Sequence, residues 1–464
     1  MKEKSLKPFI LLKVAINRLK LLYFFLFFPR LTYTLFYLFR PFYEPKENFL
    51  NRTFRYGILT FGGGLTPFKE MKAMQAGAKA LFENMEEAIK AKKMNKPVAW
   101  VEWILNAEIL EAFDIVSFNP ELLNLFGNAK GIEYPPLVIA EAEKKGVPVE
   151  TCSAVKCTVG SILLEQIPHP DIIIGASHPC DSSISIYQQL EYLTGSPTFS
   201  FDSPYWKDDA SYKYFEKNTW DLIDFLEKNL NQRMDWDKLK EVLERTNKVN
   251  FYLQEICEMN RAIPCPGTMI SLLYAWVIKE VCVRSPLAVP MAKGLYEVTK
   301  SRFDKGEGVV KKEKIRVLKW FPPIGFFTYL FKWMEHKFGA VVVADFIGHV
   351  STIQMDTSSK KSMIRDLAKA QMHIAMARQC HGPVEFLTDE LGKLIDDYSP
   401  DCVMFMGHNG CKHGWAALKI IQDFLKRKKM PTLYLNLDIM DKRHTNEEGI
   451  KKQITEFFVS HGWA

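Results

Sequence analysis

Short apolar segments that alternate with helical ones constrain the fold of this chain more than any other feature. From about residue 95 onward, four segments have the length and apolar content of buried β-strands: KPVAWVEWI, VPVETCS, PDIIIGAS and PTFSFDSP. The segments NAEILEAFD and ISIYQQLEYL lie among them and have helical periodicity. This alternation predicts a parallel sheet with helices on both of its faces.

The same pattern returns after an interruption. Residues 207–305 contain charged segments with helical periodicity, after which four further strands are predicted: KIRVLKWF, GAVVVADF, DCVMFMGH and PTLYLNLDI. We therefore predict an α/β protein with two Rossmann- or flavodoxin-like parallel-sheet domains, a helical segment between them and a helical N-terminal extension. The predicted boundaries are 1–50 for the extension, 51–206 for the first α/β domain, 207–305 for the helical region and 306–464 for the second α/β domain.

The N-terminal extension carries most of the net charge. It contains nine Lys or Arg residues and three acidic ones, an excess of six positive charges, while the whole chain has a formal net charge of +7. The remainder is nearly neutral, so no basic face for nucleic acid is indicated. The longest uncharged apolar run, Leu21 to Phe28, is far shorter than the roughly 20 residues of a spanning helix. Two interpretations remain: an arm that packs on the body or on a partner subunit, and an amphipathic segment, residues 1–45, that contacts a membrane surface peripherally.

The nine cysteines do not suggest a disulfide framework. Their number is odd and their spacing is irregular in a large chain, so we expect a protein of the reducing cytoplasm. The motif GxxxxGK[ST], which binds nucleotide phosphates, does not occur. Four of the cysteines are interpreted as core residues: Cys257, Cys265, Cys282 and Cys402.

Three other cysteines share one predicted context. Cys152, Cys180 and Cys411 each lie between the end of a predicted strand and the start of a predicted helix. Ligands bind at that edge of open α/β sheets, and a helix N-terminus there is expected to lower the pKa of a thiol. Three thiolates could hold three irons of a [4Fe–4S] cluster and leave the fourth open. A zinc site with His178, His408 or His413, and plain buried thiols, are the alternatives that the residues leave open.

The segments around these cysteines resemble a known family. The resemblance covers about residues 95–460 and is carried, in order, by AEILEAFDIVSF, TCSAVKCTVG, DIIIGASHPCDSSISIY, AIPCPGT, FKWMEHKFGAVVVAD, MGHNGCKHGW and MPTLYLNLDIMDKRHTNEEGIKKQITEFF. These segments are similar to those of the 2-hydroxyacyl-CoA dehydratases and ATP-dependent benzoyl-CoA reductases, in particular to a 2-hydroxyglutaryl-CoA dehydratase D-component subunit. Cys152, Cys180 and Cys411 match the cluster ligands of that family.

The resemblance implies a chemistry and a set of partners. It implies an acyl-CoA substrate, a homologous subunit in a heterodimer (or a second copy of the chain), and a separate ATP-dependent iron–sulfur activator that delivers low-potential electrons. The thioester would become a ketyl radical, which permits dehydration of a 2-hydroxyacyl-CoA or reduction of an aromatic ring. Two alternatives stay open: a double-cubane redox protein that acts on small molecules, with Cys157 and Cys380 as extra ligands, and a non-catalytic partner subunit.

Three further side chains are candidates for the site. Glu108 matches the family helix whose acid lies near the substrate, so it is a candidate general base. His178 and His408 precede ligand cysteines and could donate hydrogen bonds to cluster sulfur or to substrate. The alternative for Glu108 is a solvated or helix-terminal glutamate, and the alternative for both histidines is a structural role in a loop. Glu102 and Glu111 are weaker candidates for the base.

Overall fold

The computed structural model describes the chain from shortly before the first predicted strand, with several gaps. The described residues are 84, 87–88, 90–103, 105, 107–121, 134–279, 285–321, 329–350 and 353–463. The predicted N-terminal extension, its membrane contact through residues 1–45, and Cys282 lie outside the described residues. No helix in the described part of the chain is long and apolar enough to cross a membrane.

The first sheet has four parallel strands in the order β2-β1-β3-β4. They are β1 (Val98–Val101), β2 (Val116–Phe118), β3 (Ile172–Ala176) and β4 (Thr198–Phe201). The two faces of β1 pack into different apolar clusters, Ala99 and Val101 on one side and Val98 and Trp100 on the other. Three helices belong to this sheet: α1 (Tyr134–Lys144), α2 (Ser153–Leu163) and α3 (Asp181–Thr194).

Four helices follow the first sheet, as the periodicity predicts. They are α4 (Asp209–Leu230), α5 (Trp236–Met259), α6 (Met269–Val277) and α7 (Ala288–Asp304). Asp208, Asp235 and Thr268 cap α4, α5 and α6, since each side chain accepts a hydrogen bond from the backbone N–H three residues later. The sharp N-terminal boundaries of these helices follow from these caps.

The second sheet repeats the topology of the first, with parallel strands in the order β6-β5-β7-β8. Its strands are β5 (Ile315–Trp320), β6 (Ala340–Asp345), β7 (Cys402–His408) and β8 (Thr432–Leu437). The α-helices among the described residues of this part are α8 (Tyr329–Phe338), α9 (Lys360–Met372), α10 (Ala377–Cys380), α11 (Val384–Tyr398), α12 (Lys412–Ala416), α13 (Leu418–Arg427) and α14 (Glu447–Ser460). The predicted α/β class with two parallel sheets is confirmed, and the predicted domain boundaries stay predictions.

Two local predictions are wrong. The segment VPVETCS forms a turn, in which the N–H of Thr151 donates to the carbonyl of Pro148, and not a strand. Val149 is 65% exposed there, so the segment has no sheet to join. The predicted helix NAEILEAFD contains a five-residue 3-10 helix, Glu108–Ala112, because β2 begins four residues later at Val116. That short strand was not predicted.

Gly160 fixes the crossing of α1 and α2, and α2 in turn begins directly after Cys152. A Cβ atom at position 160 would overlap the carbonyl oxygen of Val138 in α1, which is backbone and cannot move aside. The substitution Gly160→Ala is therefore expected to lower the free energy of unfolding by about 1–3 kcal/mol, measured by urea denaturation.

Gly449→Ala in α14 is the matched control for Gly160→Ala. A Cβ there meets nothing closer than 3.4 Å, so the change should be neutral or stabilise the helix by about 0.5–1 kcal/mol. Equal unfolding midpoints for the two variants would contradict the assignment of Gly160 as a contact between helices.

Candidate functional site

Three thiols occupy the N-cap positions of three helices. Cys152 precedes α2, Cys180 precedes α3 and Cys411 precedes α12. Cys180 follows β3 and Cys411 follows β7, so both lie at the carboxyl edge of a parallel sheet. Cys152 follows a turn and not a strand, so for this residue the predicted strand is wrong, whereas the predicted helix after it is confirmed. All three thiols are partly buried.

The loop that carries Cys411 contacts both other cysteine segments. A Cβ atom at Gly410 would lie 2.6 Å from the Cα of Cys152, so glycine permits this close approach of two backbones. On the other side of Cys411, Lys412 and His413 lie 3.9 Å and 3.5 Å from the carboxylate of Asp181, the first residue of α3. The second sheet therefore presents Cys411 to the two thiols of the first.

Burial, rather than the helix N-termini, dominates the acidity of these thiols. Burial raises the pKa of Cys152 strongly, and the neighbouring Cys180 and Cys411 raise it further. Burial likewise raises the pKa of Cys180 to about 11 and that of Cys411 above its usual value. Backbone N–H groups lower all three, but by less, so the expected low thiol pKa is wrong. The thiols stay neutral at pH 7 until a cation replaces their protons.

The donor set suits a cluster better than a single ion. Within the described ranges, no three His, Cys, Asp or Glu side chains converge closely enough to hold one metal ion, which leaves the zinc alternative without a site there. A cubane cluster takes each thiolate on a different iron, so its ligands stand farther apart than those of one ion. Three soft sulfur donors within electrostatic range of one another fit this requirement.

His408 lies directly against the Cys152 thiol. Its Nε2 is 3.3 Å from the sulfur, and its Nδ1 accepts the N–H of Ile439 at 3.4 Å. Burial lowers the pKa of His408, although the carboxylate of Asp438, 3.7 Å from Nδ1, opposes this. A neutral ring that accepts at Nδ1 carries its proton on Nε2, where it can donate to sulfur.

Asp438 ties the last strand to the helix of Cys152. One carboxylate oxygen accepts the hydroxyl of Ser153 at 2.6 Å and the N–H groups of Met440 and Asp441 at 2.8 Å and 2.7 Å. Asp441 in turn binds the side chain of Arg443. The hydrogen-bonded loop after β8 therefore holds both Ser153 and the ring of His408.

His178 contacts protein on both ring nitrogens. Its Nδ1 bonds the hydroxyl of Ser203, and its Nε2 lies 3.1 Å from the side-chain nitrogen of Gln371 in α9. The ring also packs against His381, with 6.2 Å between the ring centroids. These contacts fasten the Cys180 loop to the second half of the chain.

Glu108 is buried in its 3-10 helix and points toward α5. One carboxyl oxygen accepts the hydroxyl of Thr246 at 3.3 Å, and the other has no hydrogen-bond partner among the described residues. Burial raises the pKa of Glu108. Its hydrogen bond therefore runs to the helical region and not to any of the three thiols.

The remaining cysteines separate into two groups. Cys257, Cys265 and Cys402 are buried core residues, as predicted. Cys380 is partly buried, and after burial itself Cys411 and Cys180 are the main causes that raise its pKa, so it belongs to the same group of thiols. Cys157 is fully buried in the second turn of α2. Burial, and then the charges of Asp438 and Cys152, raise the pKa of its thiol.

Sequence reasoning missed one acidic residue near the site. Glu121 follows β2 by three residues and is buried beside Glu102, which follows β1 directly. The signal was present, since two acids end neighbouring strands, but the second strand was not predicted.

The Asp438 network generates a stability prediction. Asp438→Asn removes the charge and part of the acceptor capacity from a buried network, so the free energy of unfolding should fall by about 1–3 kcal/mol. Asp423→Asn, which removes an exposed i,i+4 partner of Lys419, should change it by less than about 0.5 kcal/mol. Urea denaturation of both variants measures the difference, and equal losses would contradict a central role for Asp438.

Comparison with known proteins identifies the family. The family model for the 2-hydroxyglutaryl-CoA dehydratase D-component matches residues 102–459. The (R)-2-hydroxyisocaproyl-CoA dehydratase alpha subunit of Clostridioides difficile is 23% identical over 304 residues, which are 61% of this chain and 72% of the relative. One subunit of the benzoyl-CoA reductase of Thauera aromatica is 23% identical over 381 residues, 76% of this chain and 85% of the relative. The lactoyl-CoA dehydratase alpha subunit of Anaerotignum propionicum is 23% identical over 220 residues, 42% of this chain and 51% of the relative.

The family match spans three of the four strands of the first sheet, the whole second sheet and all three candidate cysteines. The named relatives are subunits of enzymes, two of them dehydratases and one a reductase. The resemblance predicted from the cysteine segments is thereby confirmed, and the chain belongs to the 2-hydroxyglutaryl-CoA dehydratase D-component family of enzyme subunits.

Proposed function

We propose that this chain is the iron–sulfur subunit of an acyl-CoA dehydratase or reductase, in which Cys152, Cys180 and Cys411 hold a [4Fe–4S] cluster. The observation that carries the proposal is the meeting of three partly buried thiols from two sheets, each at a helix N-cap and each within electrostatic range of another. When bound, such a cluster supplies single low-potential electrons and one iron without a cysteine ligand.

The chain's own residues prepare the sulfur positions. The backbone N–H of Gly414 donates to the Cys411 sulfur at 3.4 Å, and the backbone N–H groups of Ala154 and Ser183 lower the pKa of Cys152 and Cys180 and so favour their thiolates. His408 adds a donor from Nε2 to the sulfur of Cys152, and its orientation is held by Ile439 and Asp438. These donors compensate negative charge on the sulfurs, which burial otherwise disfavours.

Glu108 is the proposed proton-transfer residue. Its buried carboxyl has one oxygen without a hydrogen-bond partner among the described residues, and burial raises its pKa above that of an exposed carboxyl, which makes it a stronger proton acceptor. His178 is assigned a positioning role, because its ring nitrogens brace the Cys180 loop against Ser203 and Gln371.

The proposed partners follow from the family. They are an acyl-CoA substrate, a homologous subunit or a second copy of the chain, and an ATP-dependent iron–sulfur activator that donates the electrons. Each relative named above is one subunit of its enzyme, which supports a partner subunit here. We assign the protein to the reducing cytoplasm, because its described cysteines are free thiols.

A second candidate function is a double-cubane redox protein. It is favoured by Cys380, because the charges of Cys411 and Cys180 raise the pKa of its thiol, which places it near them. Five thiols would then serve two clusters. Cys157 speaks against it, because its side chain is fully buried within a helix of the apolar core.

Iron content tests the ligand assignment. The full chain, purified or reconstituted without oxygen, should contain about four irons, as expected for one cubane. Cys180→Ala should lower the iron content and the broad absorption of the cluster, because one iron loses its thiolate. Cys265→Ala, which removes a fully buried core thiol, is the control and should keep both.

The outcomes of the iron assay separate the candidates. Equal iron in the two variants would break the ligand assignment, and wild-type protein without iron would overturn the proposed function. Roughly eight irons per chain would favour the double cubane. A cluster whose EPR signal changes when 2-hydroxyglutaryl-CoA or benzoyl-CoA is added is expected of the acyl-CoA enzyme and not of a plain electron carrier.

A further inference from the structure

Two acids end neighbouring strands of the first sheet and are buried there without a cation. Glu102 directly follows β1 and is fully buried, and Glu121 follows β2 and is 5% exposed. In the part of the chain that the structure describes, neither carboxyl forms an ion pair with a Lys, Arg or His. Two carboxylates that share a buried site cannot both stay charged without such a partner, so the pair must bind at least one proton near neutral pH.

The hydrogen bonds of the pair connect three elements of the sheet. Glu102 accepts the N–H of Ala176 at 2.8 Å, at the end of β3. Glu121 accepts the N–H of Trp103 at 3.0 Å and the hydroxyl of Tyr187, in α3, at 3.2 Å. The second carboxyl oxygen of Glu102 is buried with no hydrogen-bond partner among the described residues. That oxygen is a site at which a proton can reside.

One face of α3 links the pair to the candidate cluster site. Cys180, Ser183 and Tyr187 are spaced three and four residues apart, so they lie on the same side of the helix. The Ser183 hydroxyl is 3.8 Å from the Cys180 sulfur, and Tyr187 holds Glu121. Gly175 in β3 makes this arrangement possible, because any Cβ there would overlap the Tyr187 ring.

We propose that Glu102 and Glu121 form a proton-binding pair whose protonation is coupled to the charge of a cluster bound at Cys180. When one electron is added to the cluster by a low-potential donor, one proton from solvent binds to the pair. The added negative charge is thereby balanced by one added positive charge, and no bond of the protein is broken. This inference rests on the proposed iron–sulfur function and extends it, because it names residues that would set the reduction potential of the cluster.

The titration of each carboxyl fixes the pH range of the effect. Burial, and then Glu121, raise the pKa of Glu102 well above its usual value, while the Ser183 hydroxyl and the Ala176 N–H lower it by less. Burial raises the pKa of Glu121 to about 7, against the opposing hydrogen bonds from Trp103 and Tyr187. Glu121 therefore changes its charge near neutral pH, where burial and the neighbouring Glu121 also favour the neutral form of Glu102.

Linkage then gives the sign of the pH dependence. Below the pKa of Glu121 both carboxyls are protonated whether or not the cluster is reduced, so the reduction potential is independent of pH. Between that pKa and the higher pKa that Glu121 takes when the cluster is reduced, reduction draws in one proton, and the potential should fall by about 59 mV per pH unit, the one-electron equivalent of a tenfold change in an equilibrium constant. A negative charge on Glu102 would raise the pKa of the Cys180 thiol, so one member of the pair lies within electrostatic range of that sulfur.

The test is a redox titration of the reconstituted full chain, followed by EPR from about pH 6 to about pH 9, on both sides of the pKa of Glu121. Wild type should show a potential that is flat at low pH and falls above about pH 7. Glu121→Gln should abolish the slope. Glu335→Gln, which removes a buried acid paired with Lys332 in α8, is the control and should keep it.

Tyr187→Phe separates proton binding from a purely structural role. It keeps the ring over Gly175 and removes only the hydroxyl that stabilises the charged form of Glu121. The pKa of Glu121 should rise, so the pH at which the reduction potential begins to fall should move upward, while the slope above that pH stays the same. A loss of the cluster alone would not produce such a shift.

Two results would overturn the inference. The first is a reduced cluster with a normal EPR signal whose potential does not change with pH in wild type. The second is a slope that survives in Glu121→Gln. A protein without iron would overturn the proposed function and the coupling with it. In that case the infrared band of protonated carboxyl groups still decides about the pair, because a band that titrates near pH 7 and vanishes in Glu121→Gln is required.

Discussion

The close approach of Gly410 to the backbone of Cys152 is the contact on which the candidate site depends. It brings a loop of the second sheet onto a helix of the first, with only 2.6 Å between the Cα of Cys152 and the place that a Cβ of residue 410 would take. Asp438 reinforces the same junction through the hydroxyl of Ser153, and His408 through the sulfur itself. Without this contact, the loop that carries Cys411 would not lie beside Cys152, and the three thiols could not bind one common group.

The site gathers ionisable groups that burial keeps neutral. The thiols have raised pKa values, His408 has a lowered one, and the carboxyls of Glu102 and Glu121 have raised ones, in each case chiefly because water is excluded. Deprotonating buried thiols destabilises the protein because water cannot solvate the thiolates. The positively charged irons of a metal cluster would supply the compensating charge. A charged group bound at the three thiols, as proposed, would therefore change the protonation of the groups around it.

Sequence reasoning found the parts of this arrangement that leave a periodic or motif signal. Apolar runs such as PDIIIGAS gave β3, and the repeated strand–loop–helix context singled out Cys180 and Cys411. It failed where tertiary contact decides the outcome. VPVETCS has the composition of a strand but no neighbour to pair with, and the three residues of β2 are too few to show a period. Acidity was misjudged for the same reason, because a helix N-terminus is visible in a sequence and the depth of burial is not.

The two sheets differ at corresponding positions, and this difference bears on the acids of the first. In the second sheet the buried carboxylate of Asp345 ends β6, the partner of β5, and it meets the ammonium of Lys319 at 2.5 Å. The first sheet has the same strand order, with Glu102 after β1 and Glu121 after β2, but no lysine between them in the described chain. An ion pair needs no proton to stay neutral overall, whereas two acids do. The acid pair of the first sheet would therefore take its balancing charge from a proton, whereas Asp345 in the second sheet takes it from the ammonium of Lys319.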